Sequence, residues 1–246
     1  MKSRVSLLML PALVVGLVAP VFGQSPVAGS RPNIVLMLAD DMGWAQPGFN
    51  GGDKALTPNI DKLAGEGMRL KEFYVPFNAV HGPLNVPPRH SDYDDVRDAM
   101  LKCLDDAVGR VVGAVDKNGF AENTLVIFTN DNGPVLEEMS KPYRGTKNTT
   151  FEGGVRSPCV MRWPGKSEPG TTRDGMMFIA DFYSTMITLA GGKHEQARPV
   201  DALDMTGMLF EAKPSPRSEI IFEVTGSVRL PTIRSGDYKL MGDMLF

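Results

Sequence analysis

Cysteine is scarce in this chain, and its scarcity excludes a fold stapled by a disulfide framework. Cys103 and Cys159 are the only two in 246 residues, enough for a single bridge in an oxidising compartment and no more. Runs of Lys or Arg are also missing, which removes nucleic acid from the expected partners. The longest apolar run, Leu7 to Val18, covers only 12 residues and is broken by Pro11. That is too short to cross a bilayer as a helix. No internal repeat is visible.

What is present is an ordinary globular composition, 42% apolar, able to bury one substantial core. The length suits one large α/β domain, alone or with a small appendage. Lys2 and Arg4 precede the apolar run, and Val21-Phe22-Gly23 follows it with residues that a signal peptidase reads. Residues 1–23 are therefore expected to be a signal peptide cut after Gly23, with an uncleaved anchor as the alternative. The expected product is secreted or periplasmic and has no stable membrane span. Losing Lys2 and Arg4 takes the formal net charge from −3 to −5.

Residues 24–32 are polar and rich in Gly, Pro and Ser, a leader into the first element. Asn33 to Leu38 (NIVLML) is a short continuous apolar run, the pattern of a strand buried on both faces of a parallel sheet. It ends at Asp40-Asp41-Met42-Gly43. Thr57-Pro58 predicts a helix start, with Thr57 as N-cap, and Ile60, Leu63 and Ala64 form its apolar side. Met68 to Val75 is extended. The longest helical signal runs from Asp92 to Lys117, with Val96, Met100, Leu104, Val108, Val111, Val112 and Val115 at helical spacing and Asp94, Asp95 and Asp98 in the first turns. Thr124 to Thr129 (TLVIFT) is a second buried-strand run and leads into Asn130-Asp131-Asn132-Gly133. Phe178 to Ala190 is a further helix. Beyond Pro214, Glu219–Val224, Val228–Ile233 and Tyr238–Leu240 read as antiparallel strands.

Strands alternating with helices imply an α/β sheet, and ligands of such sheets collect at the carboxyl ends of the strands. Asp40, Asp41, Asp131 and Asn132 sit at two such ends. If the strands are neighbours, these four residues give a site of oxygen donors alone, without thiolate or imidazole, suited to Ca²⁺ or Mg²⁺. Either pair alone reads more readily as a chain-turning strand end.

Seven segments, taken in order, resemble the sulfatase family. RPNIVLMLADDMGW (Arg31–Trp44) is similar to the family's opening strand, and TPNIDKLAGEG (Thr57–Gly67) to the helix after it. FNAVHGP (Phe77–Pro83) resembles the segment carrying an active-site histidine, and FTNDNG (Phe128–Gly133) the second metal segment. YRGTKNTTFEGGVR (Tyr143–Arg156) resembles the active-site lysine loop, followed by WPGK (Trp163–Lys166). RSGDYKL (Arg234–Leu240) looks like the C-terminal hairpin. The resemblance implies an alkaline-phosphatase-like sheet flanked by helices, with a catalytic-type domain over 33–212 and a partial C-terminal β region over 213–246. It implies Ca²⁺ on Asp40, Asp41, Asp131 and Asn132, with His81 and Lys147 facing a sulfate group. Apart from the resemblance, Lys147 reads as a solvated surface lysine and His81 as a capping histidine. His90 and His194 match no motif and are taken as structural.

The family's nucleophile is a formylglycine made from the Cys of a Cys-x-Pro-Ser-Arg motif, and neither that motif nor its serine form occurs here. Cys103 lies inside a predicted helix and Cys159 follows Pro158; both read as small packed residues, so formylglycine cannot form. Lys71 to Val75 resembles the lead-in to the missing motif, whereas Pro76 to His81 resembles a segment far downstream. The junction falls near residues 74–77, and the domain is internally shortened there. The expected activity is sulfuric-ester hydrolysis by descent, on sulfated carbohydrates or aryl sulfates, with little or no turnover. The alternatives are a non-catalytic Ca²⁺-dependent binder of sulfated glycans and an incomplete gene product. Two consequences are expected: almost no catalysis, and a core with apolar sheet surface left uncovered.

Overall fold

The computed structural model describes residues 27–71, 73–74, 84–85, 88–194, 198–222 and 231–246. The expected signal peptide, most of the junction and His81 lie outside the described residues.

The chain opens with β1 (Asn33–Ala39), then α1 (Pro58–Glu66), β2 (Met68–Leu70), β3 (Phe73–Tyr74) and the long α2 (Val96–Lys117). After β4 (Thr124–Asn130) come α3 (Glu152–Val155), β5 (Cys159–Arg162), β6 (Thr171–Arg173), β7 (Met177–Phe178), α4 (Asp181–Leu189) and α5 (Thr206–Glu211). The last elements are β8 (Glu219–Phe222), β9 (Thr232–Ser235), β10 (Tyr238–Met241) and β11 (Met244–Leu245).

Five strands form the main sheet, in the order β1-β4-β5-β2-β6. β1 and β4 are parallel, as are β2 and β6, while β5 runs antiparallel to both of its neighbours. The sheet is thus mixed. Every residue of β4 is buried, because alternate side chains feed opposite layers. Leu125 and Ile127 join Phe182 and Leu189 of α4 and Met208 and Leu209 of α5. Val126 and Phe128 join Ile60 and Leu63 of α1 and Leu101 and Val108 of α2. The result is a helix–sheet–helix sandwich. A separate antiparallel sheet, β11-β10-β9-β8, packs Ile220 and Phe222 against Val155 and Met176.

Four sequence readings need correction. β1 is not buried on both faces. Among the described residues it is an edge strand, and on the α4 side Leu36 and Leu38 remain 45% and 44% exposed. The long helix starts at Val96, later than expected, because the Asp95 carboxylate accepts the Arg97 amide as an N-cap. Its buried side is Ala99, Leu101, Asp105 and Val108, whereas Val111 is exposed. The helix expected over Phe178–Ala190 begins at Asp181, since Phe178 pairs in a strand with Tyr74.

Thr57 does occupy the N-cap position of α1, but its side chain does not cap the helix. Its hydroxyl accepts the Gly48 amide and donates to Asp61. Asp105 of α2 does the capping instead, accepting the amides of Asn59 at 2.9 Å and Ile60 at 2.8 Å and the Asn59 side chain at 2.7 Å. One buried carboxylate thereby fixes one helix against the other. Both cysteines are free. Cys103 is half-buried in α2, and Cys159 is buried in β5, where burial pushes its thiol far up.

Candidate functional site

The register of β1 and β4 determines the site. Asn33 stands opposite Thr124 and Ala39 opposite Asn130 along parallel strands of equal length, so both strands end together. The next residues, Asp40-Asp41 and Asp131-Asn132, leave the sheet side by side. Carboxylate oxygens of Asp40, Asp41 and Asp131 lie within 4.8 Å of one another, and all three residues are buried. Asp41 has a left-handed backbone, φ 61°, a conformation that Asp tolerates better than most residues. Its amide donates to Asp131 Oδ1 at 3.2 Å. Asn130 crosses between the two strand ends, accepting the Met42 amide at 3.1 Å and donating to the Met42 carbonyl at 2.7 Å.

Lys147 arrives from the loop after β4. Its Nζ lies 2.6 Å from Asp41 Oδ1 and 3.9 Å from Asp40 Oδ1. The loop is held by its own backbone: Lys147 donates its amide to the Pro134 carbonyl at 2.8 Å, and Gly133 donates to Gly154 at 2.9 Å. A Cβ on Gly133 would stand 1.8 Å from the Gly153 carbonyl oxygen, so only glycine permits the crossing. Ser140, fully buried, donates to carbonyls inside the same loop, Gly145 at 2.9 Å among them.

The structure thus brings together Asp40, Asp41, Asp131, Asn132 and Lys147. Asn132 presents its amide nitrogen to Asp41 Oδ1 at 2.8 Å; a half-turn of that amide presents its oxygen instead. His81 lies outside the described residues. His90 pairs with Asp106 at 3.0 Å and His194 with Thr188 at 3.1 Å, both away from the strand ends. Asn130 and Arg156 were not singled out from the sequence. Arg156 donates to the Tyr143 hydroxyl at 2.9 Å and to the Lys71 carbonyl at 3.1 Å, tying the lysine loop to the end of β2. Asn130 could have been suspected from its place between a buried strand and Asp131; nothing local marked Arg156.

A hard divalent cation fits these residues. The donors are oxygens, and Asp131 Oδ2 is a buried carboxylate oxygen with no hydrogen-bond partner among the described residues. Burial pushes the Asp131 carboxyl above its usual range, against hydrogen bonds from the Asp41 and Asn132 amides that favour the charged form. Buried carboxylates drawn this close without an ion repel one another, and a single ammonium offsets only part of that repulsion.

Comparison with known proteins identifies the family. The Sulfatase family model matches residues 32–79 and 73–192. Arylsulfatase J of Mus musculus is 34% identical over 161 residues, 61% of this chain and 27% of that protein. Arylsulfatase A of Bos taurus is 37% identical over 163 residues, 62% of this chain and 31% of that protein. The chain thus spans about a third or less of the length of these curated relatives. Among solved structures, Ps i-CgsB superposes with a TM-score of 0.77 at 18% identity, covering 86% of this chain and 84% of that one. The PsFucS1 sulfatase from Pseudoalteromonas sp. superposes at 0.72 with 21% identity, covering 89% and 82%. The structural likenesses establish the fold, and the family match over more than half the residues establishes descent: the chain belongs to the sulfatase family.

Proposed function

We propose that this chain binds a divalent cation, Ca²⁺ in first place and Mg²⁺ in second, and recognises a sulfate ester without turning it over efficiently. The observation that carries the reading is the convergence of the Asp40, Asp41 and Asp131 carboxylates at two parallel strand tips, with the Lys147 ammonium 2.6 Å from Asp41. Asp40, Asp41, Asp131 and Asn132 would hold the ion. When bound, such an ion supplies positive charge to the oxygens of a sulfate group. Lys147 adds a point charge to the same oxygens, and His81, which the family resemblance turns toward the sulfate group, would serve as donor or proton shuttle near the leaving oxygen.

Hydrolysis lacks its attacking group. Cys159 is buried with its thiol pushed far up, and Cys103 sits along α2; neither is an activated nucleophile. The family match breaks into two stretches that overlap at residues 73–79, which supports a junction where a nucleophile segment has been lost. An incomplete gene product is the competing reading, and resequencing the coding region for residues 70–80 tests it. Relatives named arylsulfatase A and N-acetylgalactosamine-6-sulfatase, of Bos taurus and Sus scrofa, and the complex of Ps i-CgsB with a neocarrahexaose point to aryl sulfates or sulfated carbohydrates as ligands. Lys2 and Arg4 ahead of the apolar run from Leu7 support export and a secreted or periplasmic location. No described helix is long and apolar enough to cross a membrane.

Calorimetric titration of purified protein with CaCl₂ should give one saturable site per chain. An aryl sulfate assay in the same buffer should stay at the blank rate. Absence of calcium binding overturns the site assignment, and turnover well above the blank overturns the loss of catalysis.

A further inference from the structure

A cavity of about 400 Å³ lies between the lysine loop and the C-terminal sheet, and its walls, largely apolar in surface, include Arg144, Arg156, Arg234 and Lys239. None of Asp40, Asp41, Asp131, Asn132 or Lys147 lines it. Glu152 sits among the cations, 2.9 Å from Arg156, 3.2 Å from Arg234 and 2.8 Å from Lys239. Asp237 is the other carboxylate in the wall. Four cationic side chains thus face two carboxylates around one cavity. At the rim, the exposed Arg144 lays its guanidinium over the Phe151 ring at 4.3 Å and makes no ion pair among the described residues. Phe246 packs edge-on against Phe151 at 6.0 Å. The cavity near Trp44 is of similar size, but there Lys71 is paired with Asp174 at 3.3 Å, and its walls carry no comparable excess of one sign.

We propose that this cavity binds a second anionic group of a sulfated sugar chain, with Arg144 as the contact at its mouth. Guanidinium groups suit sulfate and carboxylate oxygens because their donors form a planar fork. Phe151 and Phe246 offer apolar faces beside that fork, as sugar rings require. Arg144 precedes Lys147 by three residues, at most about 10 Å of chain, so a short oligosaccharide can reach both. The identity of the ligand as a sulfated chain rests on the function proposed above; the cavity and its charge do not. Inside the cavity, burial lowers the Lys239 ammonium's proton affinity and Glu152 raises it, with Arg234 and Arg156 lowering it further; a bound anion acts in the same sense as Glu152.

The test uses the full chain in EGTA at low salt and a fluorescently labelled sulfated tetrasaccharide, read by anisotropy, with the desulfated sugar as control. The sulfated probe should bind, and the desulfated one should not. Arg144→Gln should weaken binding about fivefold. Asp237→Asn, which removes a negative charge from the wall, should tighten it about twofold. Lys62→Gln should leave it within about twofold, because Lys62 is an exposed residue of α1 that lines neither this cavity nor the strand-end site. Equal binding by wild type and Arg144→Gln overturns the proposal. So does binding of the desulfated sugar, loss of binding on Lys62→Gln, or no binding by wild type. A chain that binds the probe in an Arg144-dependent way yet takes up no calcium retains this cavity and loses the strand-end reading; the reverse outcome separates them equally well.

Discussion

In metal-free solution Asp131 is a fully buried carboxylate, within 4.8 Å of two others and with Lys147 as the nearby cation. Such a group is costly to an empty site and useful to a filled one. Asp131→Asn is therefore expected to raise the unfolding free energy in chelator by about 1–2 kcal/mol while removing the stabilisation that calcium confers on the wild type. Thermal melts with and without calcium check both halves; a variant that melts well below wild type in chelator would show that the carboxylate is structural. At this scale the sequence was informative where the chemistry is local. Asp40, Asp41 and Asp131 each follow an apolar run, so their places at strand ends could be read directly. Asn130 and Arg156 could not, because what they do depends on which backbone lies across from them: Met42 for the first, Lys71 for the second.

Among the elements, α1 shows how a start signal can be right while its mechanism is wrong. Thr57-Pro58 marks the position, but the amides of Asn59 and Ile60 are satisfied by Asp105, 46 and 45 residues away. A buried Asp on the inward side of α2 also explains why periodicity misplaced that side: an apolar pattern does not count a carboxylate as inward-facing. Asp105→Ala would leave two α1 amides without acceptors, at a cost of about 2–3 kcal/mol. Chemical denaturation of the variant measures it. Asp105→Asn, which keeps an acceptor oxygen, should recover part of the loss. If Asp105→Ala lies within about 0.5 kcal/mol of wild type, the cap contributes nothing.

For the whole molecule, the α/β class and the two chemistry-bearing strands were legible, because TLVIFT and NIVLML have few competing readings. Strand direction and position were not. β5, CVMR, is short and carries no flanking signal of its antiparallel course, and an apolar run does not reveal whether its strand is central or at an edge. The Leu36 and Leu38 side chains of β1 were expected to be covered; each is a little under half exposed, beside an edge that no strand pairs among the described residues. Uncharged edges of this kind invite association. Replacing both leucines with threonine should lower self-association in sedimentation velocity and binding of an apolar dye, at a stability cost of about 1 kcal/mol or less, since neither is fully buried. Unchanged sedimentation would count against an adhesive edge.

The one-sided attachment of β1 has a further consequence. Among the described residues its backbone is pinned to the sheet by β4 alone, and beyond its last residue come two of the carboxylates proposed to grip the ion, with a third beyond the end of β4. A cation there would act as a rivet between the two strands, so that emptying the site and fraying the first strand become one equilibrium seen from its two ends.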